Sequence, residues 1–432
     1  MNIRRCHVLG QLRTIWLGAA LAVTALLTLT PVGAIAQKGP VKIGVILPLT
    51  GVFAPNGQDA LDGFQLYIDE IGGQVAGRKI ELIVEDAQGK PDVGLTKARK
   101  LVEADRVQVL TGIVSTGVAL AVQGYVRERK IPLVLSADAG ANQITMPGKL
   151  LNPYIFRVSQ NSRTPGAVAA DWAYKQGWRK VSMVTSDYAG GMEVSGGFVR
   201  VFCARGGQVM QEQYPPLGNP DFGPYIANLQ KNVDGVVIFT PGADGLRLAR
   251  QFIEAGLKEK IPYMDVFGQT SFEPNLPQLG DSGLGILSSL HYTAALKTPE
   301  NERFVKAFRA KTGRLPTDNG PDGYAGARAI VEAAKAVGGN VEDTDKFMAA
   351  LARVRFPSPK GEIALDQYHQ VIQSMYIRKV EKVGGDYLNV PIASYTKIDQ
   401  FWPYTAKEYM AFKYEYGQLK GKMTDCAKWL EK

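Results

Sequence analysis

The chain has 432 residues, is 45% apolar and 21% charged, and carries a formal charge of +9. This is a globular composition long enough for two domains. Its Lys and Arg are spread out, with no basic block, so the charge points to a solvated surface and away from nucleic acid. Beyond the N-terminal segment no stretch is long and apolar enough to suggest a bilayer span.

The first element reads as an address. Arg4, Arg5 and Arg13 lead into the apolar run IWLGAALAVTALLTLTPVGAIA, which closes on Ala34-Ile35-Ala36. A basic start, an apolar middle and a small-x-small end predict a secretory signal peptide over residues 1–36, cleaved after Ala36, and a periplasmic destination. The run is nearly long enough for a permanent anchor, but no charged stop follows it. Cys6 precedes the apolar run, so a lipid-anchored cysteine is not expected. Cleavage removes three arginines and no acid, taking the charge from +9 to +6. Two cysteines remain, Cys203 and Cys426; an oxidising compartment can pair them, but their spacing does not say that they meet.

From Val41 onward strands and helices alternate. VKIGVILPL, RKIELIVED, VQVLTGIV and IPLVLS read as strands, separated by the helical patterns GQDALDGFQLYIDEI, PDVGLTKARKLVEA and the segment from Val118. A second series follows, with strands KVSMVTS, GGQVMQEQYP, DGVVIFT and YMDVFG. Its helices are AADWAYKQG, VSGGFVRVFCARG, FGPYIANLQKN and GLRLARQFIEAGL. Apolar β-branched runs alternating with amphipathic helices predict parallel sheets covered on both faces. Segments near Tyr154–Val158, near residues 283–292, and across GEIALD and QSMYIRKV are expected to cross between two α/β lobes. The predicted partition is 40–156 with 288–363, 157–287 with 364–398, and a tail over 399–432 that packs as a helix on one lobe.

Motifs for chemistry are sparse. There is no Walker loop, and Glu193-Val194-Ser195-Gly196-Gly197 lacks the first glycine of a nucleophile elbow. The chain after the leader has two histidines, His291 and His369, too few and too isolated for a predicted metal centre or a Ser-His-Asp set. No cofactor and no metal is expected. What remains is a set of polar residues at the carboxyl ends of strands, where doubly wound sheets bind ligands. They are Asn56 and Gln58, Ser115 and Thr116, Ser136 with Ala137 and Asp138, Tyr188, Thr240, and Gln269 with Thr270. Singly, each is a turn or cap residue; together they fall at the same end of their strands.

Taken in order, Pro48-Leu49-Thr50-Gly51 with Asn56-Gly57, Glu85-Asp86, the Ser115-Thr116 turn, Ile131-Pro132-Leu133 with Ser136, and Tyr188-Ala189-Gly190 resemble the leucine/isoleucine/valine-binding family of periplasmic solute-binding proteins. The resemblance covers about Val41 to Val380. It implies a type I binding fold, with two Rossmann-like lobes joined by three crossings that close over a small solute. It also implies an ABC permease at the inner membrane as partner and a monomer that is not an enzyme. In that family the turn matching Ser115 grips the ligand carboxylate, and 136–140 matches a second gripping turn, here without the hydroxyl common near Gly140. Tyr188 matches an aromatic residue that closes over the ligand. Amino-acid binders of the family place an acid near Thr270 for the α-ammonium. This chain has Gly268-Gln269-Thr270-Ser271 and no acid until Glu273. A buried ammonium without an acceptor set is costly, so two ligand classes stay open: a branched-chain or other amino acid, and an aromatic or other organic acid. The alternatives are a ligand sensor on the same fold and a secreted enzyme.

Overall fold

The computed structural model describes residues 39–432, and the leader and its cleavage site lie outside the described residues. In chain order the first lobe runs β1 (Val41–Leu47), α1 (Ala54–Glu70), β2 (Gln74–Val75), β3 (Arg78–Asp86), α2 (Pro91–Arg99), β4 (Val109–Gly112), α3 (Thr116–Arg129), β5 (Leu133–Leu135) and β6 (Ile155–Arg157). Its six strands lie in the order β2-β3-β1-β4-β5-β6. All pair in parallel except the short β2. β1 is apolar on both faces because helices cover both.

The chain then builds α4 (Arg163–Lys175), β7 (Lys180–Thr185), α5 (Ala189–Arg205), β8 (Gln208–Gln213), α6 (Gly223–Ala227), β9 (Gly235–Phe239), α7 (Ala243–Glu254), β10 (Tyr263–Asp265), α8 (Leu276–Leu279) and β11 (Leu287–Leu290). Next come α9 (Pro299–Thr312), α10 (Asn319–Ala336), α11 (Thr344–Leu351), β12 (Arg355–Ser358), β13 (Gly361–Ala364), β14 (Gln373–Val383) and β15 (Asp386–Ile398). The tail holds α12 (Ala406–Met410) and α13 (Cys426–Leu430). The second sheet has seven strands, ordered β15-β14-β11-β10-β9-β7-β8.

Helices α9 to α11 return to the first lobe. Phe304, Phe308, Ile330 and Phe347 share one core with Val41, Ile43 and Phe64. α1 and α10 touch closely because glycines meet backbone. A Cβ on Gly63 would stand 1.8 Å from the Gly320 carbonyl oxygen, and one on Gly323 would stand 2.0 Å from that of Ala60.

Three segments therefore cross between the lobes, and one ammonium ties them. Lys360 Nζ donates to the Val158 carbonyl in the first crossing, to Gln373 Oε1 at the end of the third, and to Asp322 Oδ1. Asp322 also pairs at 3.0 Å with His291 Nε2, in the second crossing. All three side chains are buried, so each charge depends on its partner. Arg157, at the end of β6, ties the first lobe to the third crossing through Gln370 Oε1 (2.9 Å).

Several elements differ from the sequence reading. Tyr154–Val158 is not itself a crossing strand; β6 is an edge strand of the first sheet, and the crossing follows it. GEIALD forms only a two-stranded ribbon with β12. β15 was not anticipated. The tail is not one helix but two short ones with turns between them, packed on α5 through Tyr416, Leu419, Met423 and Trp429. Cys203 on α5 and Cys426 on α13 form a disulfide, with Cα atoms 5.3 Å apart.

Candidate functional site

The carboxyl ends of β1, β4, β5, β7, β9 and β10 converge between the lobes. They border a narrow cleft between the lobes, with a free volume of only about 10 Å³ in this closed form. Four aromatic rings wall it: Phe53 from the first lobe, and Tyr188, Phe239 and Phe267 from the second. Tyr188 lies between the others, with ring centres 6.0 Å from Phe53 and 6.2 Å from Phe239. Its polar lining is Asn56, Asp138, Ser162 and Gln269, and Val114, Val194 and Pro241 fill the gaps. A larger groove, about 220 Å³, lies between residues 142–147 and the tail. The Arg200 guanidinium that lines it is already bonded to the Trp429 and Tyr414 carbonyls.

The lobes are closed on this space. The Ala243 N–H of the second lobe donates to the Val52 carbonyl of the first at 3.0 Å. Asn56 Nδ2 donates to Gln269 Oε1 at 3.2 Å, which also accepts from the Gly242 N–H at 3.0 Å. Glu193 on α5 reaches across and accepts from the Ala141 (2.9 Å) and Asn142 (3.1 Å) N–H groups. Burial pushes its carboxyl up to about 7, opposed by those two donors and by Arg157.

Of the residues picked out from sequence, Asn56, Asp138, Tyr188 and Gln269 line the enclosed space. Gln58 is exposed and bonds Asp62. Ser115 is the buried residue preceding α3, next to the lining Val114, but is not itself in the wall. Thr116 Oγ1 accepts from the Gly140 N–H at 3.1 Å. Ser136 bonds Thr111 Oγ1 at 2.9 Å and is pressed by α10 at Gly326, and Ala137 belongs to the core of the first lobe. The Thr240 hydroxyl is buried between the lining residues Phe239 and Pro241, without a partner among the described residues. Thr270 serves its own turn, where Asp265 accepts from its hydroxyl (2.7 Å) and from the Phe267 (3.0 Å) and Gly268 (2.8 Å) N–H groups. Glu273 lies 4.0 Å from Arg378. Neither acid lines the space. The absent hydroxyl near Gly140 also has a cause. A Cβ there would meet Thr116 Oγ1 at 2.5 Å and both Ser162 Oγ and Glu193 Oε2 at 2.3 Å.

Sequence reasoning found Tyr188 but missed the other three rings, Phe53, Phe239 and Phe267, and Ser162. Phe239 and Phe267 look like core, although Phe239 borders Thr240 and Phe267 lies two residues before Gln269; Ser162 follows the first crossing, where strand ends give no signal. His291, Asp318 and Asp322 come near enough to share an ion, and Asp322 Oδ1 among them already accepts from the Lys360 ammonium.

Two Rossmann-like lobes, three crossings and a closed cleft at the strand ends define a hinged solute-binding protein. Residues 40–385 match the family model described as periplasmic binding protein. The chain is 30% identical over 384 residues to Leu/Ile/Val-binding protein homolog 6 of Brucella melitensis biotype 1, covering 87% of this chain and 97% of that one. It is similar to a solute-binding protein of an ABC transporter from Rhodopseudomonas palustris BisB5, solved with 3,4-dihydroxybenzoic acid. That match has 34% identity, a TM-score of 0.79, and covers 84% of this chain and 99% of that one. An ABC-transporter solute-binding protein of R. palustris solved with benzoate gives 30% identity and a TM-score of 0.78, covering 84% and 98%. The chain belongs to the periplasmic binding protein family, and its function is that of the solute-binding component of an ABC transporter.

Proposed function

We propose that the protein captures a small aromatic carboxylate between its lobes and, as a monomer exported with its leader cleaved after Ala36, presents it to an inner-membrane permease. The observation that carries this reading is the wall of Phe53, Tyr188, Phe239 and Phe267 around a space whose one lining carboxylate, Asp138, already accepts from three amide side chains. Aromatic rings gain from offset or edge contacts with a ring ligand. The ligand carboxylate is expected at the amino ends of α3 and α5, whose first N–H groups have no helical acceptor and lie beside the lining residues Val114 and Tyr188. Two relatives of similar identity were solved with aromatic acids, which supports the same class.

Thermal unfolding with benzoate, 4-hydroxybenzoate and leucine tests the proposal. A ligand at a hundredfold over its Kd adds about 2.7 kcal/mol of stability. Aromatic acids are expected to raise Tm and leucine to leave it unchanged. A shift with leucine alone overturns the aromatic reading in favour of an amino acid whose ammonium meets Asp138.

A further inference from the structure

We infer that Asp138, with Asn56 and Gln160 beside it, reads a hydrogen-bond donor on the ligand's ring, so that the site selects hydroxylated aromatic acids. This rests on the aromatic-acid reading above and sharpens it. Asp138 Oδ2 accepts from Asn319 Nδ2 (2.7 Å) and Asn56 Nδ2 (3.2 Å), while Oδ1 accepts from Gln160 Nε2 (3.0 Å). Asp318 adds a side-chain hydrogen bond to the same carboxylate, which lines the ligand space. Two more acceptors stand beside it. Asn56 Oδ1 and Gln160 Oε1 are buried without a partner among the described residues. Turning either amide over would aim its oxygen at the Asp138 carboxylate, so the network itself fixes these orientations. Asp318 stands behind Asp138, and burial raises both above the ordinary carboxylate range, favouring a shared proton and a single negative charge on the pair. The unpaired amide oxygens at this end of the cleft are acceptors.

A ring hydroxyl supplies the missing donor without adding charge. Benzoate leaves the acceptors dry, and an unpaired buried acceptor costs about 1–3 kcal/mol, or about 5- to 150-fold in affinity. A methoxy group keeps the oxygen and removes the proton, placing one more acceptor among acceptors.

Isothermal titration of the protein with benzoate, 3- and 4-hydroxybenzoate, 4-methoxybenzoate and leucine tests the assignment. At least one hydroxybenzoate is expected to bind about tenfold or more tighter than benzoate, with 4-methoxybenzoate weakest of the aromatic acids. Asp138→Asn is expected to weaken the hydroxylated ligand more than benzoate, collapsing their ratio. Where that variant does not fold, the wild-type series decides alone. Benzoate or 4-methoxybenzoate binding as tightly as the best hydroxybenzoate overturns this inference and leaves the aromatic class standing. Binding of leucine with no aromatic acid bound overturns the class, and this inference with it.

Discussion

Gly242 sits at φ 56° and ψ −132°, a backbone region strained for any residue with a side chain. Its open face also looks across the cleft, where a Cβ would stand 2.1 Å from the Val52 carbonyl oxygen. Gly242→Ala therefore carries two separable costs. The backbone strain, about 1–3 kcal/mol, belongs to the second lobe alone and lowers Tm with or without ligand. The clash exists only when the lobes meet. Real Cβ contacts stay beyond 3.0 Å, so the lobes must back off by about 1 Å. That strains or breaks the Ala243–Val52 bond at 3.0 Å and the Asn56–Gln269 bond at 3.2 Å. At about 0.5–1.5 kcal/mol each, closure loses about 1–3 kcal/mol, and the ligand binds about 5- to 150-fold more weakly. Calorimetric titration beside a melting curve reads both costs. A variant with a lowered Tm but the wild-type Kd would show that ligand binding does not bring Gly242 against Val52, and the closed-cleft reasoning would be wrong.

Glu193 predicts a pH effect. An acid with a raised pKa in the closed form contributes stability that is complete below its ordinary value of about 4.3 and lost as pH rises through the value of about 7. Ligand affinity should fall between about pH 5 and pH 8, and Glu193→Gln should flatten the profile while Arg157 and Glu415, the charges that face it, remain. A flat wild-type profile would refute this. Lys360→Met leaves Asp322 buried without its ammonium and should cost about 3–5 kcal/mol in urea unfolding; a loss under about 1 kcal/mol would mean the charge is supported elsewhere. Replacing both Cys203 and Cys426 with serine should cost about 2–5 kcal/mol, for a cross-link spanning 223 residues. Reduction of the wild-type protein should lower Tm by the same amount as the double variant, and a mismatch would point to strain in one of the two forms.

The alternation of strands and helices was legible because strands buried on both faces read as continuous apolar runs, and β1, β4, β7 and β9 are such strands. β15 escaped because it is an edge strand, with Pro391 inside it and one side in solvent, which mutes the signal. The site was half legible for a related reason. Position at a strand end is written in the pattern, and it brought Asn56, Asp138, Tyr188 and Gln269 to the cleft. The direction in which a hydroxyl points is not: Ser136 and Thr270 occupy equivalent ends yet bond inward, to Thr111 and Asp265. Gln160 and Asn319, which set the state of Asp138, come from the first crossing and from α10, and only the folded chain places them there.

The Cys203–Cys426 bond has a consequence for survival outside the cell's own quality control. It closes one covalent ring around β8 to β15 and around the helices that return to the first lobe. A protease that cuts any exposed turn within that ring makes two chain ends but no second molecule. The pieces remain joined through sulfur and packed through both lobes. Such a nick, which would shed a fragment from an uncrosslinked chain, leaves this one able to keep its hinge and its cleft together.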